Sequence, residues 1–201
     1  MTITDLQTPA VLIETGRLAR NIDRMQKAAD AAGVSLRPHA KTHKLPAIAK
    51  QQIARGAAGI CCAKPSEAMV FADAGIEDIR LPYPVHPSKH EQIFALMDRA
   101  RVSIIVDDAD VATGWAEVMA RTGRTLDVLV KVDVGFHRCG VDPVSPDALR
   151  LLSLVAALPG VRLRGILSHA GHGYHADSEL ALRMIAEEEV NAMTRLAAHA
   201  R

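Results

Sequence analysis

The chain has 201 residues, with 24 lysines and arginines set against 23 aspartates and glutamates. That length suits one domain with a sizeable core, and the near balance of charge argues against an electrostatic grip on nucleic acid or anionic lipid. No uninterrupted apolar run approaches the ~20 residues that cross a bilayer, and Met1-Thr2-Ile3-Thr4-Asp5 lacks the basic-then-apolar order of a signal peptide, so a cytoplasmic location away from membranes is expected.

The predicted elements alternate. Ala10-Val11-Leu12-Ile13 reads as a short strand, and Thr15 as the cap of a helix carrying Leu18, Ile22, Met25 and Ala29 at helical spacing, which Gly33 ends. Strand Val34 to Pro38 follows, then a helix from about Leu45 to Ala54 stopped by Gly56. Ala58 to Cys62 reads as a buried strand, and Ser66 lies in the start of a helix closed by Gly75. Asp78 to Pro82 is a strand, Pro87 to Ala100 a helix, and Val102 to Val106 a continuous apolar strand. Asp107 or Asp108 caps the helix that reaches Arg121. Leu126 to Val134 is expected as the longest strand. A helix from Pro146 to Leu158 is ended by Pro159-Gly160, Val161 to Ser168 is a strand, and Asp177-Ser178 opens a last helix.

Apolar strands alternating with helices mean parallel pairing with the helices outside. Strand-to-strand spacing of about 20 to 30 residues suits a (β/α) barrel or an open doubly wound sheet. After the N-terminal strand there are six strand–helix units, where a closed TIM-type barrel needs eight and typically about 250 residues. The run Asn191 to Arg201 is still helical in pattern with no stop signal, so an incomplete barrel, residues 1–201 as one domain truncated at its C-terminal end, is expected.

Three segments carry candidate chemistry. Lys41, in Arg37-Pro38-His39-Ala40-Lys41-Thr42-His43-Lys44, falls at a strand end, where such barrels present reactive groups. Cationic neighbours and apolar walls favour the neutral amine, the nucleophilic form. The alternative is a solvated lysine in a basic loop.

The second segment is Val128 to Gly140. Alternation puts Lys131 and Asp133 on one strand face, where burial is costly unless they pair. Gly135 and Gly140 bracket a strand-end turn from which Arg138 projects. Anion or phenolate binding stands there against a structural ion pair with Arg138 on the surface.

In the third, Gly165 to His175, His169, His172 and His175 recur every three residues, which invites a metal reading. The segment is too glycine-rich for a helix, so the spacing does not bring them to one face. A loop whose His169 and Tyr174 face a planar ligand is the better reading. His86 and His90 are expected to be solvated. Cys61, Cys62 and Cys139 form no disulfide framework and read as reduced thiols, with Cys61 a core residue rather than a nucleophile. GxGxxG, GxxxxGK[ST], GxSxG and HExxH are all absent.

Together these segments resemble the D-threonine aldolase and D-serine dehydratase family, pyridoxal-phosphate enzymes with an alanine-racemase-like barrel. Arg37 to Lys44 looks like its signature, Gly59 to Ala68 fits its second strand and turn, and Val132 to Val141 fits the strand that supplies an arginine near the cofactor. His169 to His175 is closer to the dehydratase branch. The resemblance implies that Lys41 holds pyridoxal 5'-phosphate as a Schiff base, with Arg138 near the ring's phenolic oxygen, His169 against the ring, and Tyr174 lining the pocket. It implies a lyase acting on small D-β-hydroxy-α-amino acids, and a homodimer for a full-length member. It also implies a divalent metal, zinc or manganese, whose ligands lie outside this chain, as do a glycine-rich phosphate loop and a C-terminal β domain. A racemase on the same fold, a non-catalytic cofactor carrier and an inactive fragment are the alternatives.

Overall fold

Residues 2–200 of the chain are described by the computed structural model. Five parallel strands, β1 (Ile60–Cys61), β2 (Asp78–Pro84), β3 (Arg101–Val106), β4 (Leu126–Lys131) and β5 (Val161–Leu167), pair in sequential order as one open sheet. The helices are α1 (Thr15–Ala31), α2 (Pro46–Ala54), α3 (Pro65–Asp73), α4 (His90–Met97), α5 (Ala109–Thr122), α6 (Pro146–Ala157) and α7 (Glu179–His199). The result is an arc of a (β/α) barrel, one of the two architectures that the alternation allows.

One set of alternate strand residues, Ile79, Leu81, Val102, Ile104, Val106, Leu126, Val128 and Val130, joins Phe71, Trp115, Leu151 and Val155 of the helices in the core. Trp115 is fully buried, and its indole N–H donates to the Val85 carbonyl at 2.7 Å, tying α5 to the end of β2. The other set lies on the opposite face. There Cys61, Arg80, Ser103, Asp127 and Arg162 stand side by side in register, a single polar level across all five strands.

Local signals explain most boundaries. Asp108, not Asp107, caps α5 by accepting from the Val111 N–H at 2.9 Å, and Ser178 caps α7 through the Ala181 N–H. Gly33 ends α1 with φ +66° while the Val34 N–H returns to the Ala29 carbonyl.

Several expectations are corrected. Ala10 to Ile13 is not a strand and Val11 is exposed, with no sheet edge pairing with it among the described residues. Thr15 is the first residue of α1, and Glu14 is its cap, its carboxylate accepting from Gly16 and Arg17. In α1 the inward positions are Ile22, Gln26 and Ala29, while Met25 is exposed. Val34 to Pro38 is extended but not a regular strand: Leu36 and Pro38 carbonyls accept from Ala58 and Cys61, and His39 bridges to Cys61. The helix after Pro87 begins as a 3₁₀ turn, Pro87–Lys89, and ends at Met97. β4 stops three residues early and is shorter than β2 and β5, because Val132 bridges to Val141 and the chain turns at Gly135.

Candidate active site at the strand ends

Lys41, Arg138, His169 and Tyr174 lie in the segments that follow Pro38, β4 and β5, at the end of the sheet where the strands' carbonyls emerge. Lys41 is the middle residue of a 3₁₀ turn, Ala40–Thr42. His39 caps that turn, its Nδ1 accepting from the Lys41 N–H at 3.2 Å, and buried Ala40 anchors it. The Lys41 side chain is exposed on this support.

Arg138 projects from the loop that Gly135 and Gly140 bracket, both at φ +114°. A side chain at Gly140 would put Cβ 2.6 Å from the Asp133 N, against backbone that cannot yield. Asp133 knits the loop together: its carboxylate accepts from the Gly135 and His137 N–H groups and faces the His137 ring, each at 3.0 Å. Burial raises its pKa, but these donors outweigh burial and the net direction is down. Asp107, left over from capping, accepts from the Gly140 N–H at 2.9 Å.

Lys131 and Asp133 therefore do not pair. Lys131 is 3% exposed, and its Nζ has no hydrogen-bond partner among the described residues. Burial lowers its pKa first; the Cys139 thiol acts against that, and the Arg138 charge adds to it.

His169 is the electrical centre of the mouth. Burial is the largest cause of its lowered pKa, followed by the positive charges of Lys131, Arg138 and Lys41; Glu189 alone opposes. One half-buried imidazole thus feels the predicted attachment lysine, the predicted arginine and the orphaned buried ammonium together. His39 is lowered likewise by burial first and then by Lys41, with a further contribution from His169. Both rings are held neutral near neutral pH. Glu189 reaches the mouth from α7 and accepts from the Ser168 hydroxyl at 2.6 Å.

The three loop histidines do not converge. His169 stands edge-on to Phe136 and Tyr174, at ring separations of 5.8 and 6.0 Å. His172 packs over Gly135, and His175 is exposed. Tyr174 is 80% exposed at the rim, in the 3₁₀ turn Gly171–His175. Among the described residues no group of three or more His, Cys, Asp or Glu could hold a metal ion. His86 is exposed and caps the Pro87 turn through the Ser88 N–H; His90, expected in solvent, is half-buried edge-on to Phe94. Burial raises the Cys61 thiol's pKa and pushes that of Cys62 up to about 12, which makes both poor nucleophiles; Cys62 is the core cysteine, whereas Cys61, expected in the core, is half-buried on the polar face of the sheet.

An exposed primary amine beside an orphaned buried ammonium, a guanidinium and neutral imidazoles fits a planar, anionic aldehyde such as pyridoxal phosphate. Alternation alone left Lys131 expecting a partner. Phe136 and Tyr83 went unmarked in the sequence because nothing local ties them to Arg138.

The model of the alanine racemase N-terminal domain matches residues 13–201. D-threonine aldolase of Arthrobacter sp is 42% identical over 173 residues, which are 85% of this chain and 45% of that protein. D-threo-3-hydroxyaspartate dehydratase of Delftia sp. (strain HT23) is 37% identical over 189 residues, 94% of this chain and 50% of that protein. The crystal structure of D-threonine aldolase from Filomicrobium marinum superposes with a TM-score of 0.93 at 38% identity, covering 99% of this chain and 54% of that one. The chain spans about half the length of the curated relatives it matches.

Proposed function

This chain belongs to the alanine racemase N-terminal domain family, and from that premise we propose that it is the lysine-bearing part of a pyridoxal-phosphate-dependent lyase acting on D-β-hydroxy-α-amino acids. The carrying observation is that the anchored turn of Lys41, the Arg138 loop and His169 lie together at one end of the sheet, with Arg138 and His169 joined through Phe136. Relatives named as aldolase and dehydratases of hydroxylated D-amino acids support the substrate class.

Lys41 is the residue that attaches the cofactor, its amine free on an anchored turn. When bound, pyridoxal phosphate supplies an electron sink for bonds broken at the substrate's Cα. Arg138 donates to anionic oxygens. Lys131, buried and unpartnered, keeps its N–H donors available to an anionic group at the mouth. His39 and His169 are neutral and so able to accept a proton, and Tyr174 walls the rim.

Product analysis tests the reading. The protein is supplied with pyridoxal phosphate and D-threonine, D-serine or D-3-hydroxyaspartate. Glycine plus an aldehyde, or ammonia plus a 2-oxo acid, is expected, and Lys41→Ala is expected to abolish both. Stereochemical inversion, or bound cofactor without turnover, would contradict the lyase in favour of a racemase or a carrier.

A further inference from the structure

We propose that Tyr83 and Phe136 are positioning residues that cage the Arg138 guanidinium by its faces and leave its N–H edge free for an anionic ligand. The inference rests on the mouth being the cofactor site only for what the free edge meets; the cage itself stands on geometry.

Arg138 is exposed, yet among the described residues no carboxylate pairs with it and no hydrogen bond holds it. Its Cζ lies 5.4 Å from the Tyr83 ring centre and 5.2 Å from the Phe136 ring centre. Both separations fall within the range of a cation–π contact. An arginine held by a carboxylate spends its donors on that partner. One held by rings keeps all five N–H groups available.

Each ring is itself restrained. Tyr83 sits near the end of β2 between Pro82 and Pro84, whose fixed φ angles stiffen the backbone on both sides. Phe136 lies against the backbone of Gly171, where an added Cβ would fall 2.6 Å from two of its ring carbons and 3.0 Å from His169 Nε2. Phe136 also meets His169 edge-on, with ring planes 81° apart. A continuous chain of contacts, Tyr83–Arg138–Phe136–His169–Tyr174, thus ties the end of β2 and the loops after β4 and β5 into one surface. Phe136 sets the distance between guanidinium and imidazole.

The probe is p-hydroxyphenylglyoxal, which closes a ring across two guanidinium nitrogens and needs room above the guanidinium plane; modification of Arg138 is followed by peptide mass spectrometry on the whole chain. Tyr83→Leu and Phe136→Leu are each expected to speed modification about two- to fivefold, the loss of one such contact. Tyr83→Phe, which keeps the ring and drops the hydroxyl, is expected to match the parent. Pyridoxal-phosphate affinity, read by fluorescence quenching, should weaken by a similar factor in both leucine variants and recover in Tyr83→Phe. Circular dichroism checks that each variant folds. Equal modification rates in parent and Tyr83→Leu would overturn the cage, whatever the cofactor does. The leucine pattern in a parent that takes no pyridoxal phosphate would support the cage and sink the proposed function instead.

Discussion

The two ends of the sheet are built on opposite electrical rules. At the end where the strands begin, the cations find hydrogen-bond partners: Arg37 and Arg101 both reach Asp78, at 2.6 and 2.8 Å, Arg162 holds Asp127 at 2.6 Å, and the Arg80 Nε donates to the Ser103 hydroxyl at 3.1 Å. At the end where the strands finish, two cations have no hydrogen-bond partner among the described residues. Lys131 is buried without one, Arg138 is held by rings, and two imidazoles have their protonation suppressed. A matched end contributes stability, whereas an unmatched end stores an attraction that only an anion from outside can satisfy. That division is the usual one between the two faces of a (β/α) barrel.

Removing one charge at each end should therefore shift stability in opposite directions. Asp78→Ala strands Arg37, which is as poorly exposed as its partner. It should cost about 3 kcal/mol, read as a lower urea midpoint at an unchanged slope, and leave cofactor affinity alone. Lys131→Met removes a charge that nothing pairs. It should leave stability unchanged or raise it by about 1 kcal/mol, while weakening pyridoxal-phosphate binding by about tenfold, the worth of a ~1.5 kcal/mol charged hydrogen bond. A large loss of stability in Lys131→Met would break the comparison.

A smaller effect comes from pH. His39, His43 and His169 have pKa values lowered from 6.5, each chiefly by burial. The folded state then binds fewer protons than the unfolded one, so the penalty is full below the lowered values and gone once pH passes the unfolded 6.5. Stability should rise with pH through that window. Replacing His39 and His169 together by glutamine should flatten the rise, which urea midpoints at pH 5 and pH 7.5 would show.

Much of this was legible from the chain. Apolar alternation foretold the parallel order and five of the strands, and Gly135 and Gly140 foretold the loop that presents Arg138. Lys41, Arg138, His169 and Tyr174 are brought to one end of the sheet. What failed depended on partners far away in sequence. Ala10 to Ile13 looks like a strand, but a strand exists only where an edge accepts it. Asp133 looked like the mate of Lys131, but nearer donors, the Gly135 and His137 N–H groups, took its carboxylate. The aromatic cage spans more than fifty residues between Tyr83 and Phe136, and no local pattern encodes it.

The central claim is that the mouth attaches an aldehyde cofactor at one particular amine, although two lysines lie close to His169. The direct measurement is to load the protein with pyridoxal phosphate, reduce it with borohydride, and map the added mass. The account predicts the label on Lys41, exposed on its anchored turn. A label on Lys131 or Lys44, or undiminished labelling in Lys41→Ala, would contradict it.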